Sequence, residues 1–188
     1  DRGGQLAQRL THQAGLQAGQ DVAHLALDFS ARRESGDGID DETENAIGTD
    51  PFREDSDGDG LTDAEETSAV GHFGPYIALD TDGDSWIDAL DTDSDNDSVP
   101  DSLEKNVDSD GDGTANFRDT DDDADTILTR DEVRDTRSID ASNDVDGDGL
   151  MNWYDVDADG DGKTDFAEGR GDTDRDGVPD YLDPFDRL

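Results

Sequence analysis

In the segment Asp55-Ser56-Asp57-Gly58-Asp59-Gly60-Leu61-Thr62-Asp63-Ala64-Glu65-Glu66, carboxylates occupy the first, third, fifth, ninth and twelfth places and a glycine the sixth. Hard oxygens at that spacing, wrapped round a sharp turn at the sixth residue, form the cage of a twelve-residue calcium loop. The same ruler fits seven more times along the chain. Loop 1 offers Asp55, Asp57, Asp59, Asp63 and Glu66, and loop 2 offers Asp80, Asp82, Asp84, Asp88 and Asp91. Loop 3 brings Asp93, Asp95, Asp97, Asp101 and Glu104, and loop 4 brings Asp108, Asp110, Asp112, Asn116 and Asp119. Loop 5 has Asp121, Asp123, Asp125 and Glu132, and loop 6 has Asp144, Asp146, Asp148, Asn152 and Asp155. Loop 7 presents Asp157, Asp159, Asp161, Asp165 and Glu168, and loop 8 presents Asp172, Asp174, Asp176, Asp180 and Asp183. A weaker copy from Arg33 to Glu44 keeps Asp37, Asp41 and Glu44 but places Arg33 and Ser35 at the first two ligand positions, so it is expected to bind weakly or to be completed from elsewhere. The expected load is eight or more Ca2+ ions. The number of oxygens and the flexible glycine-rich cage favour calcium over magnesium, which demands a short octahedral shell and keeps its waters.

The intervals between loops limit the elements that can hold these ligands. Loops 2 and 3, 4 and 5, and 6 and 7 start thirteen residues apart, leaving one residue between them. An EF-hand needs a helix of several turns on each side of its loop, and a one-residue gap admits none. Pro100 and Pro179 stand at the eighth place, where paired EF-hands exchange backbone N–H bonds that proline lacks. The longer intervals leave room for a short helical turn or an irregular spacer.

Two loop forms alternate. Asp91, Asp119 and Asp155 end loops that another loop follows almost at once, whereas Glu104, Glu132 and Glu168 end loops that a spacer follows. The extra methylene of Glu lets it reach back and clasp an ion with both oxygens. The three Asp residues are candidates to bridge neighbouring ions and make uptake cooperative within a pair. Ser85, Ser98 and Thr126 replace glycine at the sixth place, at a cost of about 1 kcal/mol or more where the backbone turns left-handed. At the ninth place Asn116 and Asn152 keep an amide oxygen, and Thr129 is the poorest ligand of the series. These departures predict weaker binding.

The stretches GTDPFREDSDGDGLTDAEE, DTDGDSWIDALDTDSDNDSVPDSLE, DSDGDGTANFRDTDDDADTILTRDE and DGVPDYLDPFD resemble thrombospondin type 3 repeats, including the bacterial versions of surface and secreted proteins. The resemblance runs from about Ser35 to the C terminus. It implies a mostly irregular, calcium-stabilised tandem-loop fold winding around a line of ions, with short helical turns and no conventional hydrophobic core. Animal members add disulfides, which this cysteine-free chain lacks, so its dependence on calcium is expected to be greater. The segment DVDGDGLMNWYD also looks like one dockerin repeat, but dockerins carry two loops and not eight.

Composition supports coupling between ions and shape. Of 188 residues only 29% are hydrophobic and 6% aromatic, while 54 acids face 14 bases for a formal charge of -40. Such repulsion keeps a chain expanded, and eight divalent ions would bring the balance to about -24. Apolar residues after the fifth ligand, such as Leu61, Val99 and Ile127, and flanking aromatics such as Phe117, Trp153 and Tyr181 predict small clusters between loops. A few buried side chains at roughly 1.5–3 kcal/mol each do not offset roughly 1–2 kcal/mol of backbone entropy per ordered residue, so folding must be coupled to ion binding. Residues 1–31 differ in kind. Their Leu6-Leu10 and Val22-Leu25-Phe29 spacing, broken by Gly15 and Gly19, predicts short helices that cap the repeats at 32–188 or belong to an upstream domain.

Most functional classes fall away. Nearly every carboxylate is committed to the ligand ladder, leaving no spare acid–base pair, and His12, His24 and His72 lack zinc spacing, so no catalytic residue is expected. Nucleic acid and anionic membrane are disfavoured by charge, and no apolar run spans a bilayer. No basic-then-apolar leader opens the chain at Asp1, as expected of a mature piece or an excised domain. The expected role is a calcium-rigidified spacer or stalk in an extracellular, cell-surface, outer-membrane-associated or periplasmic protein. The alternatives are a calcium-dependent adhesion module for a protein or glycan partner and a regulatory segment of a secreted enzyme. Trp86, Trp153, Tyr154 and Tyr181 discriminate the first two, since solvent-facing aromatics gathered on one side favour recognition and burial between loops favours the spacer.

Overall fold

The computed structural model describes residues 36–69, 76–137, 139 and 142–185. The helical segment expected within residues 1–31 lies outside them, as do Arg33 and Ser35.

Every loop begins with the same backbone device. The fourth and sixth places both have positive φ, so the backbone makes two left-handed turns within the loop's first six residues. At the sixth place this includes Ser85 (φ 91°), Ser98 (φ 86°) and Thr126 (φ 84°), as the glycine pattern predicted. The fourth place carries Asn96, Ala124 and Arg175 at φ 57–67° where the other loops have glycine, a requirement that the ligand ruler did not register.

After the turn the chain enters a short helical element whose type follows the twelfth residue. Loops ending in Glu form α-helices: α1 (Asp41–Ile47), α2 (Asp63–Glu66), α3 (Asp101–Glu104), α4 (Thr129–Thr136) and α5 (Asp165–Glu168). Loops ending in Asp form single 3-10 turns at Asp88–Leu90, Asn116–Arg118, Asn152–Tyr154 and Asp180–Leu182. The eighth residue is the extended N-cap in each, which is why Pro100 and Pro179 fit there. A left-handed C-cap at Gly48 (φ 105°) stops α1, and positive-φ, extended-ψ residues at Lys105 (φ 62°) and Gly169 (φ 66°) stop α3 and α5, whereas Arg137 after α4 stays right-handed and that helix runs two turns. One antiparallel pair, β1 (Thr67–Ala69) with β2 (Tyr76–Ala78), sets Thr67 opposite Ala78.

The helices of loops 1, 3, 5 and 7 each pack on the 3-10 turn of the following Asp-ended loop, α2 on 88–90, α3 on 116–118, α4 on 152–154 and α5 on 180–182, whereas α1 meets β2. Little apolar surface joins them. One cluster gathers Ile127, Ala158, Tyr181 and Leu182, and another Val99, Val133 and Trp153 with Tyr154 at its edge. The molecule is a tandem repeat of loops and short helices with a sparse apolar interior, as its composition requires. Ion pairs reinforce it. Arg118 Nε lies 2.6 Å from the buried Asp88 carboxylate, its Nη2 donates to the Glu66 carbonyl, and its guanidinium sits 4.4 Å from the Phe117 ring centre. Arg170 binds Asp131 (2.6 Å) and Asp135 (2.7 Å) of α4. Among the described residues no helix is long and apolar enough to cross a membrane.

Candidate metal centre

The leading Asp residues are positioned by their own loop. In loop 3, Asp95 Oδ1 accepts the Asp97 N–H (3.1 Å) and Asp97 Oδ1 accepts the Val99 N–H (2.7 Å). Loop 5 repeats this with Asp123 and Asp125, and loop 1 with Asp57 and Asp59. The first Asp accepts from the fourth or sixth residue, as Asp108 does from Gly111 and Gly113. At the third and fifth places the bond fixes the side chain through one oxygen and leaves the other, whereas the first Asp can engage both, as Asp108 does. In Asp57, Asp59, Asp95, Asp97, Asp123, Asp125 and Asp159 that second oxygen is buried and takes no hydrogen bond among the described residues.

The twelfth residue completes the pattern. Glu66, Glu104 and Glu132 are 0%, 2% and 0% exposed, and neither oxygen of any of them has a donor among the described residues. Burying an ionised carboxylate without donors costs several kcal/mol, so the arrangement fits a bound cation. Carboxylate oxygens converge within 4.8 Å of one another in Asp55–Asp57–Asp59, Asp80–Asp82–Asp84, Asp93–Asp95–Asp97, Asp37–Glu44–Asp63 and Asp59–Glu66–Asp101. All are hard donors suited to a divalent ion of the calcium or magnesium type. Burial, then repulsion from Asp57 and Asp59, pushes the Glu66 carboxyl up to about 10. Burial with Asp97 and Asp95 raises Glu104 to about 11, and burial with Asp123 and Asp125 raises Glu132 to about 11. Asp95 rises to about 9 for the same reasons, burial first and then Asp97.

The loops differ in exposure, loops 3 and 5 being the most enclosed. Asp80, Asp84, Asp108 and Asp112 of Asp-ended loops face solvent, whereas Asp95, Asp97, Asp123 and Asp125 of Glu-ended loops are buried. Asp91, Asp119 and Asp155, singled out as bridges, each accept the N–H of the first Asp of the next loop. Asp183 accepts from Phe185 in the same way. In loop 7 the Lys163 ammonium reaches into the cage, 3.0 Å from Asp161 and 2.6 Å from Glu168.

The ninth residue has a role that the ligand ruler did not anticipate. Asp101 accepts both the N–H and the hydroxyl of Ser94 (2.9 and 2.6 Å), and Asp63, Asp88 and Asp180 do the same with Ser56, Thr81 and Thr173. The N–H of each ninth residue returns to the carbonyl just before its loop, as Asp101 does to Thr92 and Asn116 to Val107. This clasp closes the loop, and an amide serves it as well as a carboxylate. Asn116 takes the Ser109 N–H and donates to its hydroxyl, and Asn152 takes the Val145 N–H and donates to Thr136 of α4. In loop 5 the Thr129 hydroxyl accepts the Asp122 N–H (3.2 Å). The departures at the ninth place are therefore alternative clasps. Ser and Thr at the second place of loops 1 to 4 and 8 were the available signal.

The sixth-place departures do carry strain. Thr126 holds a β-branched side chain at φ 84°, where glycine is free. Replacing Thr126 by glycine is expected to stabilise the ion-loaded protein by about 1 kcal/mol, less the extra flexibility glycine adds to the unfolded chain. Thermal unfolding in saturating calcium measures this, and a lower midpoint for the variant would refute it.

Residues 36–54 and 55–71 each match the family model of the bacterial TSP3 repeat. No curated protein and no solved structure matches the chain. The matched stretch contains α1, α2, β1 and the Asp37–Glu44–Asp63 and Asp55–Asp57–Asp59 groups, and the match together with these acidic clusters supports a metal-binding structural repeat. Residues 36–71 are accordingly similar to tandem bacterial thrombospondin type 3 repeats.

Proposed function

We propose that the chain binds a series of calcium ions and serves as a calcium-rigidified spacer in a secreted or cell-surface protein. The observation that carries this reading is the row of buried Glu66, Glu104 and Glu132 carboxylates with no protein donor among the described residues, each beside Asp oxygens fixed by backbone bonds. Calcium, with its six to eight oxygen ligands and tolerance of irregular cages, suits this donor set better than magnesium. Millimolar calcium outside the cell would keep sites of moderate affinity filled, which supports an extracellular or periplasmic setting. Trp153 and Tyr181 lie in the inter-loop clusters and Tyr154 at the edge of one, while Trp86 alone of the four is largely exposed (61%), and this distribution favours the spacer over a recognition face.

Calcium titration of metal-stripped protein, followed by ion stoichiometry and hydrodynamic radius, tests the reading. Eight or more ions per chain and a contraction are expected, with magnesium a weak substitute at equal concentration. An unchanged radius and no uptake would reject it.

A further inference from the structure

We propose that each buried Glu-ended cage is closed by a carboxylate from the next Glu-ended loop, so that one ion staples two loops distant in sequence, and that Asp122 is this closing ligand for loop 3. The inference rests on the calcium reading above and adds where the last ligand of each cage comes from.

An oxygen of Asp101, in loop 3, lies within 4.8 Å of oxygens of Asp59 and Glu66 in loop 1, and Asp63 of loop 1 stands in the same relation to Asp37 and Glu44. Both closing residues occupy the ninth place, where the clasp to the second residue orients them. Asp165 of loop 7 follows suit. Its Oδ1 accepts the Ala158 N–H, and because Ala158 has no hydroxyl its buried Oδ2 has no donor among the described residues. Asp125, Asp123 and Glu132 of loop 5 repel it, as does Asp155 of loop 6.

Loop 5 should break the series, because its ninth residue is Thr129. The second residue there, Ser or Thr in five other loops, is Asp122. Carboxylate and hydroxyl have exchanged ends of the same clasp, with Thr129 Oγ1 accepting the Asp122 N–H. The Asp122 side chain is 1% exposed, with the Thr129 hydroxyl beside it and no hydrogen bond of normal geometry to either oxygen. Its carboxylate lies close enough to Asp97, Asp95 and Glu104 of loop 3 for their charges to repel, as it does to Asp119 and Asp123. Both Glu104 oxygens are buried and without donors among the described residues. The exchange leaves the loop 3 cage with the same kind of closing oxygen that loop 1 receives from Asp101. A hydrogen-bonding clasp alone does not call for a carboxylate at position 122, since Val145 and Ala158 hold the second place in loops 6 and 7 with the backbone bond intact.

The test is calcium binding by equilibrium dialysis and calorimetry on the full chain, with secondary structure in saturating calcium monitored by circular dichroism. Asp122→Ser is expected to weaken one site at least tenfold. Adding Thr129→Asp, which recreates the arrangement of loop 3 itself, is expected to restore that site to within about threefold. Glu104→Gln combined with Asp122→Ser is expected to weaken the same single site and no second one, because the two residues share an ion. Unchanged affinity in Asp122→Ser overturns the proposal, as does loss of two separate sites in the combined variant. A Thr129→Asp exchange variant that fails to recover the site or fails to fold also counts against it. Absence of calcium uptake by the wild-type chain would instead refute the function reading, so the two failures are distinct.

Discussion

Stripped of metal, the protein is expected to keep its compact form only in acid and to expand as the pH rises toward neutrality. Burial, reinforced by neighbouring carboxylates, raises Glu66 to about 10 and Glu104 and Glu132 to about 11 in the folded chain, against 4.5 when exposed. A carboxyl whose folded value lies above its unfolded one holds a proton that the unfolded chain releases. Its folded form is therefore not penalised below pH 4.5 and loses stability steadily between 4.5 and the raised value. At pH 7 each of the three costs up to roughly 3 kcal/mol, and together they match the whole stability of an ordinary domain. Calcium reverses the sign, because the ion requires the deprotonated group and supplies the charge that burial removed from water. Small-angle scattering of the metal-free protein from pH 4 to 8, repeated with millimolar calcium, measures both limbs. Equal radii for the metal-free protein at the two ends would contradict the expectation.

Glu132→Gln is expected to act in opposite directions with and without metal. The amide keeps the volume and removes the charge, so the metal-free fold should persist to higher pH, gaining up to roughly 3 kcal/mol at neutrality. In calcium the same variant loses the bidentate clasp at the twelfth place, and the affinity of that site should fall at least tenfold. Removing one of 54 acids barely changes the overall repulsion of the chain, so a simple net-charge effect does not produce two opposed shifts. The pH midpoint of metal-free expansion and a calcium isotherm, taken on one preparation, decide the matter. Shifts of the same sign in both would sink the cage interpretation of Glu132.

What the sequence exposes and what it conceals separate along a physical line. Properties internal to one loop are legible: the alternate Asp spacing, the left-handed sixth residue at Ser85, Ser98 and Thr126, and the difference between Glu-ended and Asp-ended forms, which corresponds to α-helix against 3-10 turn. The fourth-place turn was readable in Gly58, Gly83 and Gly111 but masked by Ala124 and Arg175, which adopt it against their preference. The ninth-place clasp was hidden because Asp at that place satisfies the calcium ruler equally well, and only the Ser or Thr seven residues earlier reveals a second role. Asp122 was out of reach for a different reason. Its neighbours Asp95, Asp97 and Glu104 lie 18 to 27 positions away, and their meeting depends on how loops stack, which no spacing within a loop encodes.

Arg118 is a tethered counter-ion. Its guanidinium binds Asp88 of loop 2 and the carbonyl of Glu66 in loop 1 from its own place in loop 4, and it cannot diffuse away or be chelated. A junction neutralised by a covalently attached cation ignores the ambient supply of metal. The early part of the chain thus owns one counter-charge that depletion of metal does not carry away.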